Sequence, residues 1–239
     1  MFVFFFKQKT AYEIVDCDWS SDVCSSDLAI AAGGDQFSGV AESWNGTNWT
    51  SITNEPNGSN AYGSAGADNT NALFFGGVPA PTRTVTRYWN GSSWTDLNAL
   101  NGSKKDLEGA GKTYTAALAI GGTAGPTTAL ALTESFNGTN WTEVNDLNTA
   151  RRFAAANGTQ TSALIYAGLT PPPVTNKTEE WNGTNWTETT NYPLSVTGNT
   201  GAGADNTNAL GFGGTPPETN ATLEWTGANV AQTKTFTDS

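Results

Sequence analysis

One short aromatic hairpin, written again and again, constrains this chain more than any other feature. It reads SWNGTNWTS from Ser43, YWNGSSWTD from Tyr88, SFNGTNWTE from Ser135 and EWNGTNWTE from Glu180. The first aromatics fall at Trp44, Trp89, Phe136 and Trp181, and Trp225 continues the series, with spacings of 45, 47, 45 and 44 residues. Asn-Gly is a strong turn signal because both residues tolerate positive φ. Two aromatics straddling a four-residue turn face each other across two strands as a cross-strand pair. Each ring can bury on the order of 150–250 Å², so the pair is expected to be structural. Self-similarity at this period means one supersecondary unit used repeatedly.

A second series keeps step with the hairpins. AIAAGG ends at Gly34, ALFFGG at Gly77, ALAIGG at Gly122, ALIYAG at Gly168 and ALGFGG at Gly214. Small-residue segments precede the last four: YGSAGA from Tyr62, LEGAGK from Leu107, FAAANG from Phe153 and NTGAGA from Asn199. Each period therefore reads as four short strands, A to D. Strand A is small, B is apolar and ends in Gly-Gly, C ends in the first aromatic and D opens with the second. Repetition of four strands every ~40–50 residues is the arithmetic of a β-propeller blade. Gly and Ala in strand A suit a crowded central axis, and the unalternating strand B suits burial on both faces between blades. The expected fold is all-β: a propeller of four-stranded antiparallel blades with five repeats visible. The first repeat lacks a strand A of its own, so four complete blades and one incomplete blade are expected, as a fragment of a larger propeller.

Residues 1–28 stand apart from this vocabulary. They hold Cys17, Cys24 and the only methionine. KQKTAYEI at Lys7 to Ile14 and DWSSDVCSSDL at Asp18 to Leu28 resemble translated sequencing-library adapter strings, in order and in frame. The alternatives are weaker. A signal peptide carries its positive charge before its apolar run, whereas Lys7 and Lys9 follow Phe2 to Phe6. That run is also far short of the ~20 residues that span a bilayer. The organisation expected is a non-native segment at 1–28 and a propeller at 29–239, with the native N-terminus and any export signal missing. Residues 29–239 carry 9 Lys and Arg against 17 Asp and Glu, a net charge of −8, with no Cys, His or Met. Such an acidic chain has no broad attraction to nucleic acid or anionic lipid, and neither partner is expected.

The repeat resembles the kelch repeat over nearly all of 29–239. Kelch blades have an apolar strand ending in Gly-Gly, then an aromatic, a short turn and a tryptophan. The doublets Gly33-Gly34, Gly76-Gly77, Gly121-Gly122 and Gly213-Gly214 match. So do the first aromatics, and the second ones at Trp49, Trp94, Trp141 and Trp186. Three features depart from the pattern. The Arg usual before strand A appears only as Arg151-Arg152, one doublet is Ala167-Gly168, and Val230 stands where the last second tryptophan belongs. The DLNTARR segment, the ALxxGG strands and the closing KTFTDS are also similar to kelch-like repeat proteins of marine phage and environmental sequences.

Catalytic chemistry finds few carriers. Nucleophilic triads usually need a histidine base, and zinc and copper sites lean on His and Cys; residues 29–239 contain neither. The duplicated ADNTNAL, from Ala67 and from Ala204, spaces Asp and Asn as calcium ligands could be spaced. GKTYTAAL and NGTQTSAL take its place in other repeats, so a strand A–B turn is the expected role. Asn-X-Ser/Thr triplets such as Asn45-Gly46-Thr47 follow from the same turn chemistry. No cofactor, metal or catalytic residue is expected.

The B–C and D–A loops share one face of a propeller, and they vary most and carry most of the prolines. They hold Arg83, Lys104, Lys105, Arg151, Arg152 and Lys177, six of the nine basic residues of 29–239. Variable loops on a rigid scaffold are where binding usually resides, so these six are the candidate ligand-binding residues. The function expected is non-enzymatic: adhesion or recognition outside the cell or on a virion, as in a phage tail or fibre, with a glycan or surface polymer as ligand. The alternative is an intracellular kelch-type module whose ligand is another protein.

Overall fold

A computed structural model of the chain describes residues 3–4, 28–33, 39–56, 58–79, 84–170, 173–216, 219, 221–227 and 232–234. Gly34, Arg83 and Val230 lie outside them. The described strands form five four-stranded antiparallel sheets arranged as propeller blades. Blade I comprises β1 (Val3–Phe4), β2 (Leu28–Ala32), β3 (Ala41–Asn45) and β4 (Trp49–Ser51). Blade II comprises β5 (Asn60–Asp68), β6 (Asn71–Val78), β7 (Thr86–Trp89) and β8 (Trp94–Leu97). Blade III comprises β9 (Glu108–Thr113), β10 (Ala116–Ile120), β11 (Thr133–Phe136) and β12 (Trp141–Val144). Blade IV comprises β13 (Ala155–Thr159), β14 (Ser162–Tyr166), β15 (Thr178–Trp181) and β16 (Trp186–Thr189). Blade V comprises β17 (Thr200–Gly203), β18 (Ala209–Phe212), β19 (Thr222–Trp225) and β20 (Gln232–Lys234). The sequence leads to one incomplete blade, whereas here the strand-A place of blade I is taken by Val3–Phe4, pairing with Ala31 and Ala32.

Alternation along strand B explains why it reads as continuously apolar. In β6, Ala72 and Phe74 join the cluster shared with blade I, while Leu73 and Phe75 join the one shared with blade III. In β10, Ala117 and Ala119 turn back to blade II, and Leu118 and Ile120 turn forward to blade IV. In β14, Ala163 and Ile165 turn back, and Leu164 and Tyr166 turn forward. A strand covered on both faces has no polar side to show. The forward residues meet the hairpin aromatics of the next blade. Phe75 stands 4.9 Å from the Trp141 ring, which lies 4.8 Å from Phe136. Trp181 and Trp186, 5.3 Å apart, pack into the cluster with Leu118 and Ile120. The expected wedges between blades are therefore present. At the start of the series Trp44 and Trp49 also pair, at 5.6 Å, but Trp49 is 38% exposed.

The hairpin motif is decided locally. The side-chain oxygen of Asn182 accepts the backbone N–H groups of Thr184 and Asn185 at 3.0 and 2.9 Å. Asn45, Asn90 and Asn137 do the same in their own turns. Gly183 follows at φ 91°, a conformation that glycine adopts without steric cost.

The Gly-Gly doublets form the seams between blades. The second glycine donates across: Gly77 N–H to the Lys104 carbonyl and Gly122 N–H to the Arg151 carbonyl, both at 2.9 Å. A Cβ on Gly76 or Gly121 would lie 2.6 Å from those same two carbonyl oxygens. The seam thus requires glycine for close approach.

Candidate binding face

The inner strands of blades II to V each carry a left-handed residue at their start. Ala61, Asp106 and Phe153 have φ of 59°, 54° and 51°, and Gly198 continues the series at 63°. They are joined from blade to blade: the Asp106 N–H donates to the Ala61 carbonyl at 3.1 Å, Phe153 to Asp106 at 3.2 Å, and Gly198 to Phe153 at 2.9 Å. A bulky residue such as Phe rarely holds this conformation without support on both sides. The hydrogen-bonded run supplies it and builds a rigid backbone rim at the inner end of the D–A loops. The B–C loops are stitched to that rim by single bridges: Lys105 with Thr123, Arg152 with Leu169, and Thr197 with Thr215.

The candidate basic residues divide sharply on this frame. Lys104 and Arg151 are 1% and 0% exposed. The Lys104 ammonium lies 2.7 Å from Glu134, and the Arg151 guanidinium lies 2.5 Å from Glu179. Arg151 also donates to the carbonyls of Thr149 at 3.2 Å, Ala167 at 3.2 Å and Lys177 at 2.7 Å. Burial lowers its pKa, and Glu179 opposes that shift. A charge in such a place is kept by its partners, because an unpaired buried charge is costly. Expectation places both side chains on the solvated loop face; the structure turns them inward, out of a ligand's reach. Arg83 lies outside the described residues.

Lys105 and Arg152, one position further along the chain, are partly exposed, their side chains 24% and 13% accessible. Both approach Asp106, at 3.6 and 3.9 Å. Arg152 donates to the Pro126 carbonyl at 3.1 Å and sits 5.1 Å from the Phe153 ring centre. Glu108 begins the adjoining inner strand, and burial, with the Asp106 charge added, raises its pKa well above the usual carboxylate value. Together these residues make a compact patch of two cations, two acids and a ring beside the rim. Lys177 is not part of it. Its side chain is 42% exposed and is held 2.5 Å from Glu188, whose pKa is lowered chiefly by that hydrogen bond.

Sequence reading overlooked the acids and amides that bury Lys104 and Arg151. Glu134 accepts the backbone and side-chain N–H groups of Asn101, both at 2.9 Å. Glu179 accepts those of Asn148, at 2.7 and 3.0 Å. The signal was available: Leu100-Asn101 and Leu147-Asn148 precede Lys104 and Arg151 at equal spacing, and each Glu stands two residues before a hairpin aromatic. The joint between blades I and II reverses the charges, with Glu55 in the D–A loop paired to Arg87 of β7. The next joint along from Arg151 replaces the pair with apolar Val196 and Leu223.

The duplicated ADNTNAL segments act as turns. Asp68 Oδ1 accepts the Thr70 N–H and hydroxyl at 2.8 and 2.7 Å, and Asp205 Oδ1 accepts those of Thr207 at 2.8 and 2.6 Å. Burial acts to raise the Asp205 pKa, but the hydrogen bonds from Thr207 and Asn208 outweigh it and the net shift is downward. Neither a known family model nor a curated protein matches the chain.

Proposed function

We propose that this β-propeller is a kelch-like, non-enzymatic binding module that recognises an acidic glycan or surface polymer outside the cell or on a virion, in the manner of a phage adhesin or tail fibre. The kelch reading is supported by the Gly-Gly seams and by hairpin aromatics lodged between blades. The observation that carries the ligand reading is the pairing of Lys105 and Arg152 around Asp106 beside the backbone rim. Arg152 is suited to an anionic group, because its planar fork can hold a carboxylate or sulfate with two hydrogen bonds. Phe153 adds an apolar surface for a sugar ring.

The test is a glycan array probed with the wild-type protein and with a Lys105→Ala/Arg152→Ala variant of unchanged melting temperature. Acidic polysaccharides should bind the wild type, lose affinity in the variant, and lose it in the wild type as salt screens charges over ~8–10 Å. Equal binding of acidic glycans by both proteins would falsify the role given to the two cations.

A further inference from the structure

The last repeat breaks the pattern at one position, and the adjoining joint registers the loss. In blades II to IV the second hairpin tryptophan reaches back to the preceding blade. The Trp141 indole N–H donates to Thr86 Oγ1 at 2.8 Å, and the Trp186 indole to Thr133 Oγ1 at 3.1 Å. Trp94 faces a blade with Ala41 at that position and donates to the Thr53 carbonyl at 2.8 Å instead. Trp141 shares its cluster with Leu73, Phe75, Leu100 and Phe136, and Trp186 with Leu118, Ile120, Leu147 and Trp181. In the fifth repeat the tryptophan is replaced by Val230. Between blades IV and V the corresponding hydroxyl, Thr178 Oγ1, is buried without a hydrogen-bond partner. The four corresponding side chains, Leu164, Tyr166, Tyr192 and Trp225, line an almost wholly apolar cleft together with Thr178.

We infer that this cleft is a binding site for a planar bicyclic aromatic with a ring N–H, of the indole class, which donates to Thr178 Oγ1. It is separate from the patch around Asp106. Tyr192, larger than the Leu100 and Leu147 it stands in for, stacks on Tyr166 at 5.0 Å and fills part of the slot. The space left holds about one water molecule. An entering ring therefore displaces the Tyr192 ring. The exchange has a favourable side: the Tyr192 hydroxyl is itself buried without a partner, and turning outward returns it to water. Binding thus satisfies two orphaned hydroxyls, each of which is costly to leave unmade.

Calorimetric titration with indole, and with indene as the same ring shape lacking N–H, tests the site. The wild type should bind indole roughly three- to tenfold more tightly than indene, the ratio expected of one hydrogen bond. Thr178→Val, isosteric at a hydroxyl that makes no bond, should keep the fold and bind the two equally. Val230→Trp, which writes the second hairpin tryptophan back into the fifth repeat, should abolish binding of both and raise the melting temperature. Should that variant fail to fold, Tyr192→Leu opens the slot and should tighten indole binding. The proposal is overturned by a wild type that binds indole no better than indene or not at all. It is equally overturned by an indole preference that survives Thr178→Val, by binding that persists in a folded Val230→Trp, or by indole affinity unchanged in Tyr192→Leu.

Discussion

The adjacent pair Arg151 and Arg152 shows how differently two identical residues behave when one is enclosed. Arg151→Ala leaves Glu179 buried and uncompensated, and urea unfolding should show a loss of ~3–5 kcal/mol. Arg151→Met combined with Glu179→Leu should recover a good part of this, since Val196 and Leu223 serve the next joint without charge. Lys177→Ala, which breaks an exposed pair with Glu188, should cost less than ~1 kcal/mol. Glu108 carries a pH signature. Its folded pKa is raised by burial and by Asp106, so between its unfolded and folded values the folded state binds more protons. Its contribution to stability is present at acidic pH and is lost as pH rises through the folded pKa. Glu108→Gln should accordingly raise the melting temperature near pH 8 while leaving it little changed near pH 4. The opposite pattern would show the carboxyl to be well solvated or paired.

At the scale of the element, the hairpin holds two effects of unequal size. Its asparagine caps the turn with two backbone bonds, and Asn182→Ala should cost ~1 kcal/mol. Its tryptophans fill the space between blades, where ~200 Å² of buried ring at ~25 cal/mol per Å² corresponds to ~5 kcal/mol as an upper bound. Packing therefore outweighs the turn. Trp186→Ala should cost ~3–5 kcal/mol, and Trp49→Ala, at a ring 38% exposed, distinctly less. Equal losses at the two positions, measured in one denaturant series, would contradict the wedge role. The hairpin was legible in sequence because its key bonds join residues two and three apart. Its neighbours across the seam, some fifty residues away, were not.

Across the whole molecule, stability is a sum of blade joints, as in other repeat architectures. The joints around blade III combine aromatic wedges with a buried ion pair. The joint between blades IV and V has neither a second tryptophan nor an ion pair at the matching position. It also buries Asn199 with both amide atoms unpartnered, where Leu107 stands two joints earlier. Hydrogen exchange should therefore be faster in β17–β19 than in β9–β15, and Asn199→Leu should raise the melting temperature; slower exchange in blade V would contradict this ranking of joints.

The all-β class, the four-strand period, the turn chemistry and the aromatic wedges can be read from the residues in order. Those rest on interactions within a hairpin or on a pattern repeated at a fixed spacing. Which loop cations reach solvent is settled by contacts between blades. Lys104 and Lys105, like Arg151 and Arg152, are alike in composition and differ by one step of backbone. The backbone is extended there, as the bridges at Lys105 and Arg152 show, so successive side chains point to opposite sides and the first of each pair lies buried. There Glu134 and Glu179, about thirty residues away in the chain, supply the countercharge that makes burial tolerable. The countercharge comes from the packing of each blade against the next, and a linear pattern does not contain it.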